Sequence, residues 1–210
     1  MDTEIIQINS NYDFAIMVAQ KAVLNGDLIV FPTDTVYGVG CFYKNIDAVK
    51  EIYHIKTRQF NKPLAVYFSD VDMVEDFVKD YSPTLQVLCE EFLPGQLTII
   101  TEKNRRISDI ITSGQNTIGF RVPKSKFILD LVDEIGYPMV GTSANISNAP
   151  AAKTAKEAFK VFNTKLPYIF QDDTGASGVD STIISVIKEK VKLIREGALP
   201  FEKIKNFLNI

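Results

Sequence analysis

Apolar residues recur along this chain with two different periods, which predict alternating helices and strands. Spacings of three and four residues predict helices over 13–25, from 46 to near His54, and over 85–92, 126–135 and 154–162. Short apolar or alternating runs predict strands over 28–31, 62–67, 96–101, 117–122, 139–141 and 168–170, followed by a strand pair over 182–187 and 191–194. Asp70 is expected to cap a short helix, and a last helix is expected to begin at Pro200. This order of elements predicts an α/β fold.

Two strand ends carry small polar residues. The segment 26–40 reads GDLIVFPTDTVYGVG, in which Pro32 stops a buried strand and places Thr33 and Thr35 in the loop that follows. Ser143 and Asn145 follow the predicted strand 139–141 in the same way. Ligands of open α/β sheets bind beyond strand ends, so both segments are candidate binding loops. An ordinary exit from a strand remains the alternative.

Cationic side chains follow three other elements. Lys56 and Arg58 come directly after a helix, with Lys62 close behind, and two such cations can converge on one anion. Taken alone, this K-x-R pattern is better explained by a solvated charged turn. In 117–122 the alternation places Thr117 and Arg121 on one face, which a ligand or solvent could cover.

The last third of the chain contributes a permissive loop and another cation. The loop 171–181, which reads QDDTGASGVDS, has glycines that permit close approach of a ligand to the backbone and ends at Ser181. The same glycines would serve any flexible surface loop. Arg195 lies at the end of a predicted strand.

Composition narrows the function classes. With 210 residues, 46% of them hydrophobic, and a net charge of −3, the chain is predicted to be a globular protein and not a general nucleic-acid binder. The N-terminal sequence lacks the pattern of a secretory signal, and no segment has the length of a membrane span, so we expect a cytoplasmic protein with no membrane partner. The two cysteines, Cys41 and Cys89, are predicted to be reduced, and a single histidine disfavours histidine-dependent triads.

The ordered set of motifs resembles the threonylcarbamoyl-AMP synthase family, the YrdC-like proteins of the tRNA t6A pathway. In chain order the motifs are PTDTVYGVG, KTR with KPL, PGQLT, TIGFRVP, TSANISN, DST and LIREG. The resemblance implies one YrdC-like domain over 1–210, with its motif-bearing core at about 13–199 and a twisted mixed parallel and antiparallel sheet flanked by helices. It also implies a minimal synthase, without the extra C-terminal domain of longer members.

The implied reaction converts L-threonine, bicarbonate and ATP to threonylcarbamoyl-AMP and pyrophosphate, with Mg²⁺ held mainly by the ATP phosphates. Downstream t6A transfer proteins are implied as partners, whereas direct binding of tRNA is left open. Residues implied to be catalytic are Lys56, Arg58, Ser143 and Asn145. Those implied to bind threonine are Thr35, Tyr67, Arg121, Ser143 and Ser181, and those implied to bind ATP are Lys56, Arg58, Lys62, Thr117, Asn145 and Arg195.

Four positions depart from the family pattern. Tyr67 stands where a histidine is common, and it can donate a hydrogen bond but cannot become a cation near neutral pH. Gln59 and Gln96 replace prolines, and Asn148 replaces a common glycine. Two other functions remain open from the sequence: a related carbamoyl or adenylyl transfer to another acceptor, and a non-catalytic RNA-binding module.

Overall fold

The computed structural model describes residues 2–210, which contain ten β-strands and seven α-helices. The strands are β1 (Glu4–Gln7), β2 (Ile29–Phe31), β3 (Gly38–Phe42), β4 (Ala65–Tyr67), β5 (Leu97–Glu102), β6 (Thr117–Arg121), β7 (Met139–Ser143), β8 (Tyr168–Gln171), β9 (Thr182–Ile187) and β10 (Lys190–Arg195). The helices are α1 (Tyr12–Asn25), α2 (Ile46–Ile55), α3 (Val71–Glu75), α4 (Pro83–Phe92), α5 (Lys126–Ile135), α6 (Ala155–Phe162) and α7 (Phe201–Leu208). Side chains of Asp70 and Thr154 cap α3 and α6 as predicted. No helix within these residues is long and apolar enough to cross a membrane.

All ten strands form one mixed sheet in the order β1-β8-β2-β3-β7-β4-β6-β5-β9-β10. Strands β1 and β8, β2 and β8, β4 and β6, and β5 and β9 pair in parallel. The other five neighbouring pairs are antiparallel. The predicted mixed sheet flanked by helices is therefore confirmed.

Two hydrophobic clusters cover opposite faces of the sheet. Val30 belongs to the larger cluster, whereas its neighbours Ile29 and Phe31 belong to the smaller one, as the alternation of strand side chains requires. Helices α1 and α5 supply the smaller cluster. Helices α2, α3, α4, α6 and α7 supply the larger one.

Two strands were not expected from the sequence. No strand was predicted after the loop that holds Thr33 and Thr35, yet β3 begins at Gly38 and pairs with both β2 and β7. A Cβ atom at Gly40 would lie 2.5 Å from the Val140 carbonyl oxygen, so glycine permits the close approach of β3 and β7. The edge strand β1 pairs only with β8, which is distant in the chain.

Candidate functional site

A cavity of about 220 Å³ lies over the middle strands of the sheet, on the face that carries α1 and α5. Register explains its position: Ala65 and Tyr67 of β4 stand beside Gly141 of β7 and Arg121 of β6, respectively. Because Gly141 has no side chain, the floor of the cavity lies close to the sheet backbone. The loops after β2 and before β9 form the walls. The residues that line the cavity are Thr33, Thr35, Val36, Tyr37, Arg58, Pro63, Ala65, Tyr67, Thr98, Arg121, Gly141, Thr142, Ser143, Asp180, Ser181, Ile183 and Arg195.

The guanidinium of Arg121 is held by three acceptors. Its Nη1 donates to Thr35 Oγ1 at 2.7 Å, its Nη2 donates to Asp34 Oδ1 at 2.5 Å, and its Nε donates to the Gly95 carbonyl at 3.2 Å. Both members of the ion pair are buried, with side-chain exposures of 5% for Arg121 and 9% for Asp34. Burial raises the pKa of Asp34, and the positive charge of Arg121 opposes that shift. Arg121 therefore enters the cavity in a fixed orientation.

Thr35 can act only as an acceptor toward a ligand. Thr33 Oγ1 donates its hydrogen to the Val36 carbonyl at 2.7 Å, so the 3.0 Å contact between the two threonine hydroxyls uses the hydrogen of Thr35. Thr35 Oγ1 also accepts from Arg121. Thr35 therefore presents an unused lone pair of its Oγ1 atom to the cavity.

Lys56 fastens the turn that carries Ser143 and Asn145. Its Nζ donates to the carbonyl oxygens of Ser143 and Asn145 at 2.5 and 2.6 Å, and to Asn145 Oδ1 at 2.8 Å. Its own carbonyl accepts from the Ser147 amide at 2.9 Å. The Ser143 hydroxyl donates to Asn145 Oδ1 at 2.8 Å, and Asn145 Nδ2 donates to the Ala149 carbonyl. The K-x-R and S-x-N segments thus form one hydrogen-bonded unit.

Burial changes the proton affinity of this unit. Lys56 is 1% exposed, and desolvation, together with the nearby charge of Arg58, lowers its pKa to about 7. Three acceptors match the three hydrogens of an ammonium group, whereas a neutral amine has two. Deprotonation would therefore remove one of the three bonds by which Lys56 holds the turn.

Arg58 keeps part of its guanidinium free. Its Nε donates to the Lys62 carbonyl at 3.1 Å and its Nη2 to the Pro63 carbonyl at 2.8 Å. Within residues 2–210 no acceptor bonds to its Nη1, and the side chain lines the cavity. Arg58 is thus presented as a charged donor to an anion.

The far wall is formed by β9, β10 and the loop before them. Ser181 Oγ lies 2.8 Å from Thr98 Oγ1, and the Ser181 carbonyl accepts from Arg195 Nη2 at 2.7 Å. Arg195 Nη1 also lies 3.6 Å from Asp180 Oδ2. A register shift in β10 between Leu193 and Arg195 alters the direction of the strand just where Arg195 turns to the cavity.

The loop 172–180 is tied to the segment after β2. The amides of Ser177 and Gly178 donate to the carbonyls of Asp34 and Thr35 at 3.1 and 2.8 Å. Gln96, one of the departures from the family pattern, adds a bond from its Nε2 to the Asp34 carbonyl at 2.9 Å. These contacts hold the loop against the cavity wall.

Two other departures are accommodated locally. Asn148 has a φ of 70°, which favours glycine and is tolerated by asparagine, and its Oδ1 accepts from Lys62 Nζ at 2.9 Å. Tyr67 is 6% exposed, and its ring packs edge-on against Phe31. Burial raises the pKa of Tyr67, so its hydroxyl stays protonated. Tyr67 therefore offers the cavity a neutral hydroxyl.

The predicted site residues divide into two groups. Those that line the cavity are Thr35, Arg58, Tyr67, Arg121, Ser143, Ser181 and Arg195. Lys56 and Asn145 lie behind Ser143, whereas Lys62 bonds to Asn148 at the surface and Thr117 lies at the opposite end of β6 from Arg121. The contacts of these four residues with ATP stay predictions.

Sequence reasoning missed five polar residues of the site. Those that line the cavity are Tyr37, Thr98, Thr142 and Asp180, and Asp34 holds Arg121 from behind. Tyr37 donates to Asp173 Oδ1 at 2.6 Å. The position of Asp34 between the two threonines was a usable signal, since a carboxylate beside a candidate binding loop suggests a partner for a cation.

Side chains that ligate metals do not cluster in the part of the chain that the structure describes. Residues 2–210 contain no group of three or more His, Cys, Asp or Glu side chains placed to hold a metal ion. In the lining of the cavity the carboxylate of Asp180 stands among three arginines. This donor set does not fit a divalent cation bound by the protein alone.

The cysteine and histidine side chains lie outside the lining of the cavity. Cys41 and Cys89 are buried free thiols, and burial raises the pKa of both, that of Cys89 to about 11. His54 is exposed on α2 and contacts Glu51 at 3.2 Å. The cavity therefore offers charged and hydroxyl groups in place of a thiolate or an imidazole.

Comparison with known proteins finds relatives over most of the chain. The model of the family Sua5_yciO_yrdC, described as telomere recombination, matches residues 21–197. Threonylcarbamoyl-AMP synthase of Pyrococcus abyssi is 31% identical over 93% of this chain and 58% of its own length. The enzyme of the same name from Bacillus subtilis is 34% identical over 89% of this chain and 55% of its own length. The chain thus spans little more than half of these two relatives.

Solved structures agree with these matches. The structure of P. abyssi Sua5 complexed with L-threonine aligns with a TM-score of 0.92 and 30% identity, covering 97% of this chain and 60% of that one. Escherichia coli YciO aligns with a TM-score of 0.82 at 20% identity, covering 95% of this chain and 98% of that one, which supports the fold alone.

Proposed function

Because the chain belongs to the Sua5, YciO and YrdC family, we propose that it is an L-threonylcarbamoyladenylate synthase of tRNA t6A formation. It would form threonylcarbamoyl-AMP and pyrophosphate from L-threonine, bicarbonate and ATP. The observation that carries the proposal is the convergence of Arg58, Arg121 and Arg195 with hydroxyl groups in one small cavity over the sheet. Relatives named threonylcarbamoyl-AMP synthase, and a structure of one relative with L-threonine, support the same substrate.

The cavity is the expected binding place for threonine. Its volume of about 220 Å³ is below the range of roughly 300–1,000 Å³ common for drug-sized ligands, so it suits an amino acid better than a whole nucleotide. Arg121 offers donors for the carboxylate of threonine, and Thr35 offers an acceptor for its amine. Ser181 and Tyr67 provide neutral hydroxyls on two walls.

The nucleotide is then expected at the rim, with its phosphates near Arg58 and Arg195. In the proposed reaction a carbamate oxygen attacks the α-phosphorus of ATP while pyrophosphate leaves. The protein must align two anions and stabilise the charge that accumulates on the phosphate oxygens. Arginines do so without losing a proton. No protein nucleophile is required, which agrees with the burial of both cysteines.

Lys56 and Asn145 are given supporting positions in this proposal. They fix the turn that brings Ser143 to the cavity and hold its hydroxyl hydrogen away from a ligand. Ser143 then meets a ligand as an acceptor. Mg²⁺ is expected to enter the site already bound to the ATP phosphates, where it would screen their charge.

Mass spectrometry of the product tests the proposal. The chain is incubated with ATP, Mg²⁺, L-threonine and ¹³C-bicarbonate, and the product is expected to be threonylcarbamoyl-AMP with the label in its carbamoyl group. Parallel reactions with other amino acids detect a related transfer to another acceptor. A labelled adenylate formed equally well without threonine would contradict the substrate assignment. Salt-sensitive RNA binding with no labelled product would instead favour the binding-module alternative.

A further inference from the structure

The carboxylate of Asp34 lies behind the cavity and contacts Arg121. Asp34 is absent from the cavity lining and instead borders two other clefts, which share Lys124 and Gly175. Arg121 does line the cavity and gives its Nη2 to Asp34 Oδ1. The direct contact of the Asp34 carboxylate with the cavity lining is therefore its bond to Arg121.

Donor counting shows what Asp34 leaves for a ligand. Arginine has five N–H groups, and Asp34, Thr35 and the Gly95 carbonyl accept three of them. One N–H on each terminal nitrogen remains. Removing the Asp34 acceptor would release the Nη2 end and let the guanidinium turn about its remaining bonds.

The backbone of Asp34 is held by bonds that do not involve its carboxylate. Its backbone carbonyl accepts from the Ser177 amide and from Gln96 Nε2, and the adjacent Thr35 carbonyl accepts from the Gly178 amide. Its Oδ2 atom is buried and has no hydrogen-bond partner within residues 2–210. Buried polar atoms are almost always hydrogen-bonded, so this unpaired oxygen calls for an explanation beyond the backbone contacts of the loop.

We propose that Asp34 is a positioning residue that orients Arg121 toward the carboxylate of the substrate. This inference rests on the proposed function for the identity of the ligand, whereas the restraint on Arg121 does not. Asp34 keeps the guanidinium from turning and balances its buried charge, so that a single arrangement of the two remaining N–H groups meets the acid. Selectivity for an acid over its amide is the expected consequence.

The restraint is tested in the ligand-free protein. Nitrogen-15 NMR of the arginine side chains is recorded for the wild type, Asp34→Ala and Asp34→Asn, with Arg121→Lys to assign the signals. Distinct Nη signals for Arg121 are expected in the wild type, averaged signals in Asp34→Ala, and distinct ones in Asp34→Asn, which retains an acceptor. Equally distinct signals in Asp34→Ala would overturn the proposal.

A matched control comes from the surface pair of Asp76 and Arg106. Its Oδ2 and Nη1 atoms lie 3.2 Å apart, and both side chains are more than half exposed. Asp76→Ala removes a carboxylate from an arginine, as Asp34→Ala does, at a position remote from the cavity lining. The Arg121 signals should be unchanged in this variant.

Binding measurements test the consequence for selectivity. Calorimetry with L-threonine and L-threoninamide should show that Asp34→Ala lowers the preference for the acid at least tenfold, with partial recovery in Asp34→Asn. Equal loss of affinity for both ligands would indicate a merely structural role and contradict the proposal. If the wild type shows a restrained Arg121 but binds no threonine, the proposed substrate fails while the orientation of Arg121 by Asp34 stands.

Discussion

At the scale of single residues, the polar groups of the cavity differ in how many hydrogens they have left for a ligand. Thr35 and Ser143 have given theirs to neighbouring oxygens, and Lys56 has given all three. Arg58 and Arg121 retain free N–H groups. The arginines are consequently the cationic donors that the cavity offers, and Lys56 instead holds the turn that carries Ser143.

Arg58→Ala is expected to lower synthase activity by about a hundredfold or more, since it removes a donor aimed at developing negative charge. Its two bonds to the carbonyls of Lys62 and Pro63 lie in a surface segment, so the loss of stability should be only about 1 kcal/mol. Turnover and urea unfolding are compared with those of Arg105→Ala, which removes an exposed cation outside the cavity lining. Unchanged turnover in Arg58→Ala would contradict its assignment.

The lowered pKa of Lys56 makes the stability of the fold depend on pH. Its pKa is about 7 in the folded protein, against an ordinary value of 10.5, so above pH 7 the unfolded chain binds more protons at this site. The free energy of unfolding should therefore rise between pH 6.5 and 9, relative to that of Lys56→Met, which cannot titrate. Urea unfolding at both pH values measures this difference.

The exposed Lys50 on α2, the helix that ends just before Lys56, provides the control for that measurement through Lys50→Met. This variant should keep the pH dependence of the wild type. A wild-type advantage over Lys56→Met that falls with pH would refute the depressed pKa of Lys56.

At the scale of elements, the site depends on close backbone approaches. A Cβ atom at Gly197 would lie 2.2 Å from the Asp180 carbonyl oxygen and 2.5 Å from the Ser181 carbonyl carbon. Gly141, in the cavity floor, would place a Cβ 2.4 Å from the Val39 carbonyl oxygen. These atoms belong to the backbone and cannot swing away, so larger residues would displace the walls.

Gly197→Ala is accordingly expected to lower the melting temperature by several degrees and to weaken threonine binding at least tenfold, because the segment that carries Asp180 and Ser181 must move. Gly175→Ala, in the loop 172–180, is the matched control, since no atom lies within 4 Å of its added Cβ. Thermal unfolding and calorimetry compare the two variants. A Gly197→Ala protein that behaves like Gly175→Ala would show that this approach is unimportant.

At the scale of the whole molecule, strong local patterns predicted most helices and strands, and longer-range pairing determined the rest. The strand β3 reads GVGCF, whose glycines suggest a loop, yet they allow β3 to approach β7. The strand β1 has only four residues and depends on β8. Such pairings are absent from a local window of sequence.

The same limit applies to the site. Motif order indicated that Lys56, Arg58, Ser143 and Asn145 belong together, but a sequence does not show whether such side chains face a ligand or one another. The structure turns Arg58 and Ser143 to the cavity and joins Lys56 to Asn145 behind it. Asp34, in the loop after β2, was not identified because its partner Arg121 lies far along the chain, on β6.

Pyrophosphate release from ATP in the presence of Mg²⁺ is the most direct test of the proposed synthase reaction. The complete mixture is compared with reactions that lack L-threonine or bicarbonate, and with one that contains serine in place of threonine. We expect release that requires both co-substrates, prefers threonine, and is lost in Arg58→Ala but kept in Arg105→Ala. Release that is independent of threonine would contradict this reaction and would assign the arginine-lined cavity to another acceptor.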